Sequence, residues 1–255
     1  MAVEGLREER ADAILRITID RPDRLNALTV PVLAELRRLV EGTATDGTRV
    51  IVITGAGRAF CAGADVGPDG APPSMDTLLG ANALAEAIAA TPAVVVAAVN
   101  GVAAGVGCSL ALTADLAIAK ESASFMLAFT KIGLMPDGGA TLLVAANVGR
   151  ARAMRMALLA EKIPATTAGE WGLISHVAAD EDFDSTVDAI VGQLSAGAPR
   201  ALGATKAGVN AASIDLLTRA LERERDGQEA LLASADFAEG VLAFQEKRPA
   251  KFTGE

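Results

Sequence analysis

A chain of 255 residues with 51% apolar content has ample material for the buried core of one large α/β domain, or of one domain with a helical appendage. Its formal charge of −9 argues against nucleic acid or an anionic membrane surface as a general partner. Two cysteines without paired spacing argue against a metal site or a disulfide framework, a single histidine gives poor support to a histidine triad, and 3% aromatic content without tyrosine offers no stacking platform for single-stranded nucleic acid.

The N-terminus is charged from its fourth residue and has no apolar signal core, so a cytoplasmic protein is the expectation. Residues 13–19 alternate and are β-branched, which predicts a strand ending at Asp20-Arg21-Pro22. Thr29 then reads as the cap of a helix with Pro31 in its first turn, running to Glu41. RVIVIT at 49–54 is a second, buried strand, and the small residues of 55–67 form a loop whose backbone lies close to something. Three prolines between Gly67 and Met75 predict a mobile loop, followed by a helix over 76–90.

The stretch from Val94 to Leu112, VVVAAVNGVAAGVGCSLAL, organises the rest. Its Val/Ala run suits a strand buried on both faces, Asn100-Gly101 breaks it, and a small-residue helix begins near Val106. A strand feeding a glycine turn and a helix start stabilises a negative oxygen, because the first helical N–H groups lack internal partners and carry the positive dipole end. Gly101, Gly105 and Gly107 let a ligand approach closely. A membrane span is the poorer reading: Asn100 and three glycines interrupt the run and no basic flank follows, so the Gly101/Gly105 spacing has no membrane context. A dinucleotide fingerprint fails at Leu110, where its third glycine belongs.

Beyond it, DLAIAK at 115–120 is a strand and 125–135 is a mixed apolar segment ending at Pro136. Asp137-Gly138-Gly139 precedes an apolar helix over 140–148. Helices are predicted at 150–160, 166–171, 184–194, 199–211 and 214–244, with one short strand near 174–177, where the lone His176 reads as structural. The fold class is therefore α/β with parallel strands: a core over 1–195 and a helical region over 196–255.

Residues 17–28 (ITIDRPDRLNAL), 55–66 (GAGRAFCAGADV), 97–119 (AAVNGVAAGVGCSLALTADLAIA) and 234–252 (SADFAEGVLAFQEKRPAKF) together resemble the crotonase, or enoyl-CoA hydratase/isomerase, superfamily. The resemblance implies a crotonase-type spiral of ββα units with a C-terminal helical trimerisation region, assembled as a homotrimer or dimer of trimers. It implies an acyl-CoA substrate, with coenzyme A entering as the thioester part of that substrate, no permanently bound cofactor and no metal. The family holds a thioester enolate on two backbone N–H groups, which correspond by position to Ala64 and, next to Gly105, Val106. Coenzyme A would lie against Arg24 to Ala27 and against Ala62, Gly63, Asp65 and Val66. Lys247, Arg248 and Lys251 beside Phe252 resemble the tail that reaches the CoA phosphates; a solvated basic tail is the alternative.

A hydratase of this family uses two glutamates, and their positions here hold Ser109 and Phe129, neither of which does the work of a carboxylate. Asp137 is the carboxylate in the right region. Residues 125–139 and 153–174 resemble the ring-1,2-epoxyphenylacetyl-CoA isomerase branch, whose members use an aspartate at this position. Two readings of Asp137 compete. As an N-cap before GGATLLVAA it would contribute about 1 kcal/mol and sit in a dipole that lowers its pKa. As a base it would be dehydrated by Phe129, Leu134 and Met135, which raises its pKa. The corresponding functions are a single-base isomerase, a hydratase with Asp65 as the nearest second carboxylate, or a non-catalytic acyl-CoA binder. Leu216, Leu217, Leu221, Leu231 and Leu232, interleaved with charges at 222–226, mark an amphipathic helix that serves either an interface or the core.

Overall fold

The computed structural model describes residues 3–67 and 72–255. Strands β1 (Leu6–Ala11), β2 (Ile14–Ile19), β3 (Val50–Gly55), β5 (Val94–Val99), β7 (Leu116–Lys120) and β10 (His176–Ala178) form one sheet in that order. The short strands β4 (Ala59–Cys61), β6 (Val102–Ala104), β8 (Ser124–Met126) and β9 (Ile163–Pro164) form a second. All pairings from β2 through β10 in the large sheet are parallel, and β4, β6 and β8 are parallel in the small one.

The logic is a repeated ββα unit. Each of β3, β5 and β7 enters the large sheet, and the strand after it, β4, β6 or β8, enters the small one before a helix returns the chain: α2 (Met75–Ala90), α3 (Val106–Thr113) or α4 (Ala140–Leu159). A fully apolar β5 fits because both faces are covered. Val95, Ala97 and Val99 face the main core, while Val96 and Ala98 pack with Val50, Val52 and the Phe183, Val187 and Val191 of α6 (Phe183–Ala196). α1 (Val30–Gly42), between β2 and β3, packs against α2. After α5 (Ala165–Trp171) and α6 come α7 (Pro199–Ser213), α8 (Leu217–Leu232) and α9 (Ala235–Gln245). The apolar 93–112 run is thus β5, β6 and α3, and among the described residues no helix is long and apolar enough to cross a membrane.

Several expectations need correction. β1 reads as a charged terminus in sequence because its residues are exposed or half-buried; its register with β2, Leu6 to Ile19 through Ala11 to Ile14, is made by the backbone. Thr29 occupies the cap position of α1 but its hydroxyl makes no capping bond. The predicted helices at 140–148 and 150–160 run as one element with a non-helical break at Gly149 (φ 76°, ψ 162°). The helix predicted over 214–244 is two, α8 and α9, because Ser234 accepts a hydrogen bond from Phe237 N at 3.1 Å and starts a new one. Residues 68–71 of the loop predicted to be mobile lie outside the described residues.

Candidate active site

Parallel pairing brings the site together. Because β4, β6 and β8 run side by side in one direction, the segments leaving them, 62–66, 105–106 and 127–137, emerge at the same end of the small sheet, where open parallel sheets place ligands. Gly105 N donates to Met126 O at 2.9 Å and joins the second exit to the third. The first two touch through glycines: a Cβ on Gly63 (φ +102°) would stand 2.9 Å from the Ala104 carbonyl oxygen, and one on Gly105 (φ +53°) 3.7 Å from Gly63 Cα. This close approach sets the backbones of Ala64 and Val106 side by side. Leu28 N donates to Gly63 O and Asp65 N to Leu28 O, while no acceptor among the described residues pairs with the Ala64 or Val106 N–H. Val106 opens α3 as the sequence predicts, so its amide carries the positive end of that helix.

Both residues line a cavity of about 280 Å³ together with Asp137 and Phe129. Of the sequence candidates, Ala62, Gly63, Val66 and Gly105 also line it. So do Pro73 and Ser74 at the end of the proline-rich loop and Thr77, Leu78 and Ala81 of α2. The cavity is mainly apolar, and Leu134 and Phe129 are buried beside Asp137.

Asp137 is 8% exposed. Its Oδ2 accepts from Gln228 Nε2 at 2.8 Å, and its Oδ1 is buried without a hydrogen-bond partner. Burial is the main force on its acidity; the Gln228 donor opposes that push and the negative Glu224 adds to it, so the pKa rises to about 7. The capping alternative is overturned. Gly139, not Asp137, stands at the cap of α4, and the orphan amides there are taken by Glu224: Oε2 accepts from Gly139 N at 2.7 Å and Oε1 from Thr141 N at 2.9 Å. A carboxylate from a distant helix does the work that sequence proximity suggested for Asp137.

Other candidates have different partners. Ser109 is fully buried and donates to the Asp137 carbonyl oxygen at 2.7 Å, so it fixes the Asp137 backbone from behind and does not line the cavity. Asp65 is held by Arg21 at 2.8 Å and by Gly67 N at 3.1 Å; burial would raise its pKa, but these donors outweigh it and keep the carboxyl below its ordinary range. It lies off the cavity lining and is not a free second base. Arg24 and Ala27 flank that pair: Ala27 O accepts from Arg21, and the Arg24 guanidinium is near Gly67. Lys247, Lys251 and Phe252 are exposed and off the cavity within this chain. Arg248 is committed to Glu239 at 2.6 and 2.8 Å and to Glu246, which removes it from the set of free basic groups.

Sequence reasoning missed Glu224 and Gln228. Both sit in a helix that reads as solvated on its charged face, and the one available signal is that they stand four apart, on the same side as Leu217 and Leu221.

The chain matches the enoyl-CoA hydratase/isomerase family model over residues 9–255. It is 45% identical over 258 residues to a Rhodobacter capsulatus protein named probable enoyl-CoA hydratase, covering 100% of both chains. It is 41% identical over 250 residues to the 1,2-epoxyphenylacetyl-CoA isomerase of Escherichia coli, covering 95% of each. A crystal structure of an enoyl-CoA hydratase from Mycobacterium avium subsp. paratuberculosis superimposes with a TM-score of 0.94 at 49% identity, over 99% of this chain and 100% of that one. Spiral fold, paired amides and full-length similarity agree: this chain is an acyl-CoA enzyme of the enoyl-CoA hydratase/isomerase family, within the crotonase superfamily.

Proposed function

We propose that the enzyme is an isomerase that moves a proton along an acyl-CoA with one carboxylate. On a 3-enoyl-CoA, Asp137 removes a proton from C2, the thioester oxygen takes the negative charge against the Ala64 and Val106 N–H groups, and the same carboxyl returns the proton to C4. The double bond ends conjugated with the thioester and no atom is gained or lost. Each amide donor contributes on the order of 3 to 4 kcal/mol to holding the enolate. The observation that carries this reading is Asp137 itself, the one carboxylate lining the cavity among the described residues, with one oxygen unpartnered and a pKa near neutrality, where a proton carrier works best. The E. coli isomerase at 41% identity supports it as well.

A hydratase is the second reading, favoured by the name of the Rhodobacter relative. It needs a second carboxylate, and Asp65 is engaged by Arg21. The two are separated by following absorbance of the conjugated thioester from both sides. The isomerase reading expects 3-enoyl-CoA to be converted, 2-enoyl-CoA to be hydrated no faster than in buffer, and Asp137→Asn to lose about 10²- to 10⁴-fold in kcat. A wild-type rate in Asp137→Asn would end this assignment, and rapid Asp137-independent hydration would replace it. Tight acyl-CoA binding without turnover on any substrate would favour a non-catalytic binder.

A further inference from the structure

Glu224 and Gln228 stand one turn apart on α8 and are 0% and 1% exposed. Buried polar groups are costly unless partnered, and here the partners all belong to the segment that carries Asp137. Glu224 takes Gly139 N, Thr141 N and the Thr141 hydroxyl. Gln228 Oε1 accepts from Met135 N at 3.2 Å, and its Nε2 donates to Met135 O at 2.9 Å and to Asp137 Oδ2 at 2.8 Å. The Met135 N–H demands the amide oxygen, which turns the amide nitrogen toward Asp137 and fixes its orientation. Met135 before the carboxylate and Gly139 after it are thus pinned to one helix.

We propose that Glu224 and Gln228 are positioning residues for the isomerase reaction: Gln228 holds Oδ2 and Glu224 clamps the turn behind it, so that Oδ1 is the oxygen left to exchange the proton. This rests on the isomerase reading. The two residues also act on the acidity of Asp137 in opposite senses, Glu224 raising it by like charge and Gln228 lowering it by donation to the ionised form. The other groups that bear on the site are Lys131 at the cavity wall, the Ser109 hydroxyl of α3 on the Asp137 carbonyl, and Arg223, which acts on Glu224.

The experiment is the pH dependence of kcat for 3-enoyl-CoA isomerisation in wild type, Asp137→Asn, Gln228→Leu, Gln228→Glu and Glu224→Gln. Because the base must be ionised, the acid limb follows the Asp137 pKa. Gln228→Leu removes the donor and the isosteric Gln228→Glu replaces it with a carboxyl that, when ionised, adds a like charge beside Asp137, so in both kcat falls about 10- to 100-fold and the limb moves to higher pH by roughly 0.5 to 1 unit. Glu224→Gln removes the like charge, so the limb moves to lower pH, and KM stays within about threefold in all three. A purely structural role moves neither limb. Folded Gln228 variants with the wild-type limb and kcat overturn the proposal, and so does failure of all three variants to fold; if only Gln228→Leu fails to fold, Gln228→Glu decides. Asp137→Asn separates the two levels: a wild-type rate there defeats the isomerase reading, whereas loss of turnover there with unaltered Gln228 variants defeats the positioning role alone.

Discussion

Asp137 carries an ionisation cost in the folded chain that follows from its place in an apolar cavity. Its pKa rises from 3.8 to about 7. Below pH 4 it is protonated in both folded and unfolded chains and costs nothing. Between about 4 and 7 the unfolded chain gives up the proton while the folded one keeps it, so stability falls as pH rises through this window, and above 7 the full cost is present. At about 1.4 kcal/mol per pKa unit, a rise from 3.8 to about 7 costs roughly 4 kcal/mol. Asp137→Asn should therefore be the more stable protein at pH 8 by about that amount and equal to wild type near pH 4, measured by urea unfolding. Equal stability at pH 8 would mean the carboxylate is solvated there. At this scale the sequence is uneven. Asp137, Ala64 and Val106 are legible as cavity-lining residues because each stands at a local signal, a Pro-Asp-Gly-Gly turn, a small-residue loop and a helix start. Glu224 and Gln228 are not, because they reach Asp137 from 87 and 91 positions away and nothing local marks them as buried.

Elements with runs of four to six apolar residues, such as β3 and β5, are legible because burial on both faces writes a continuous run. The three-residue β4, β6 and β8 hold no full period, and their pairing depends on strands far along the chain. The same non-local logic ties α7 to the core. Lys206 donates to Ile88 O at 2.7 Å and Ala93 O at 3.1 Å and pairs with Asp115 at 2.9 Å, while Asp115 also accepts from Val95 N at 2.7 Å. One buried ammonium therefore joins α7, the end of α2 and the edges of β5 and β7. Lys206→Met would leave the half-buried Asp115 without its counter-charge and with only the Val95 N–H as donor, and an expected loss of about 1 to 3 kcal/mol in denaturant unfolding follows. Adding Asp115→Asn to it should recover part of that loss; no recovery would show that Lys206 acts only through the two carbonyls. The tail after α9 is likewise fixed: Lys251 N donates to Glu239 and the Thr253 and Gly254 amides to Asp236.

For the molecule as a whole, the alternation of strands and helices makes the parallel core legible, and the split of each unit between two sheets is what converts that core into a spiral with its exits at one end. Large apolar side chains remain outside: Leu158, Leu159 and Val209 are 62%, 70% and 58% exposed. We propose that the enzyme assembles as a trimer or dimer of trimers, with Lys247 and Lys251 near a subunit boundary. Light scattering at micromolar concentration should give a trimer or hexamer mass, and deletion after Phe244 should weaken coenzyme A binding; a monomer whose affinity survives the deletion opposes both parts. The central chemical claim is that one carboxylate, shielded from bulk water, takes the proton from C2 and returns it to C4. It is tested most directly by isomerising a 3-enoyl-CoA deuterated at C2 in ordinary water and locating the label in the first product by mass spectrometry and NMR. The single-base reaction predicts deuterium at C4 in a substantial share of the product, and complete exchange of that label with solvent would contradict it.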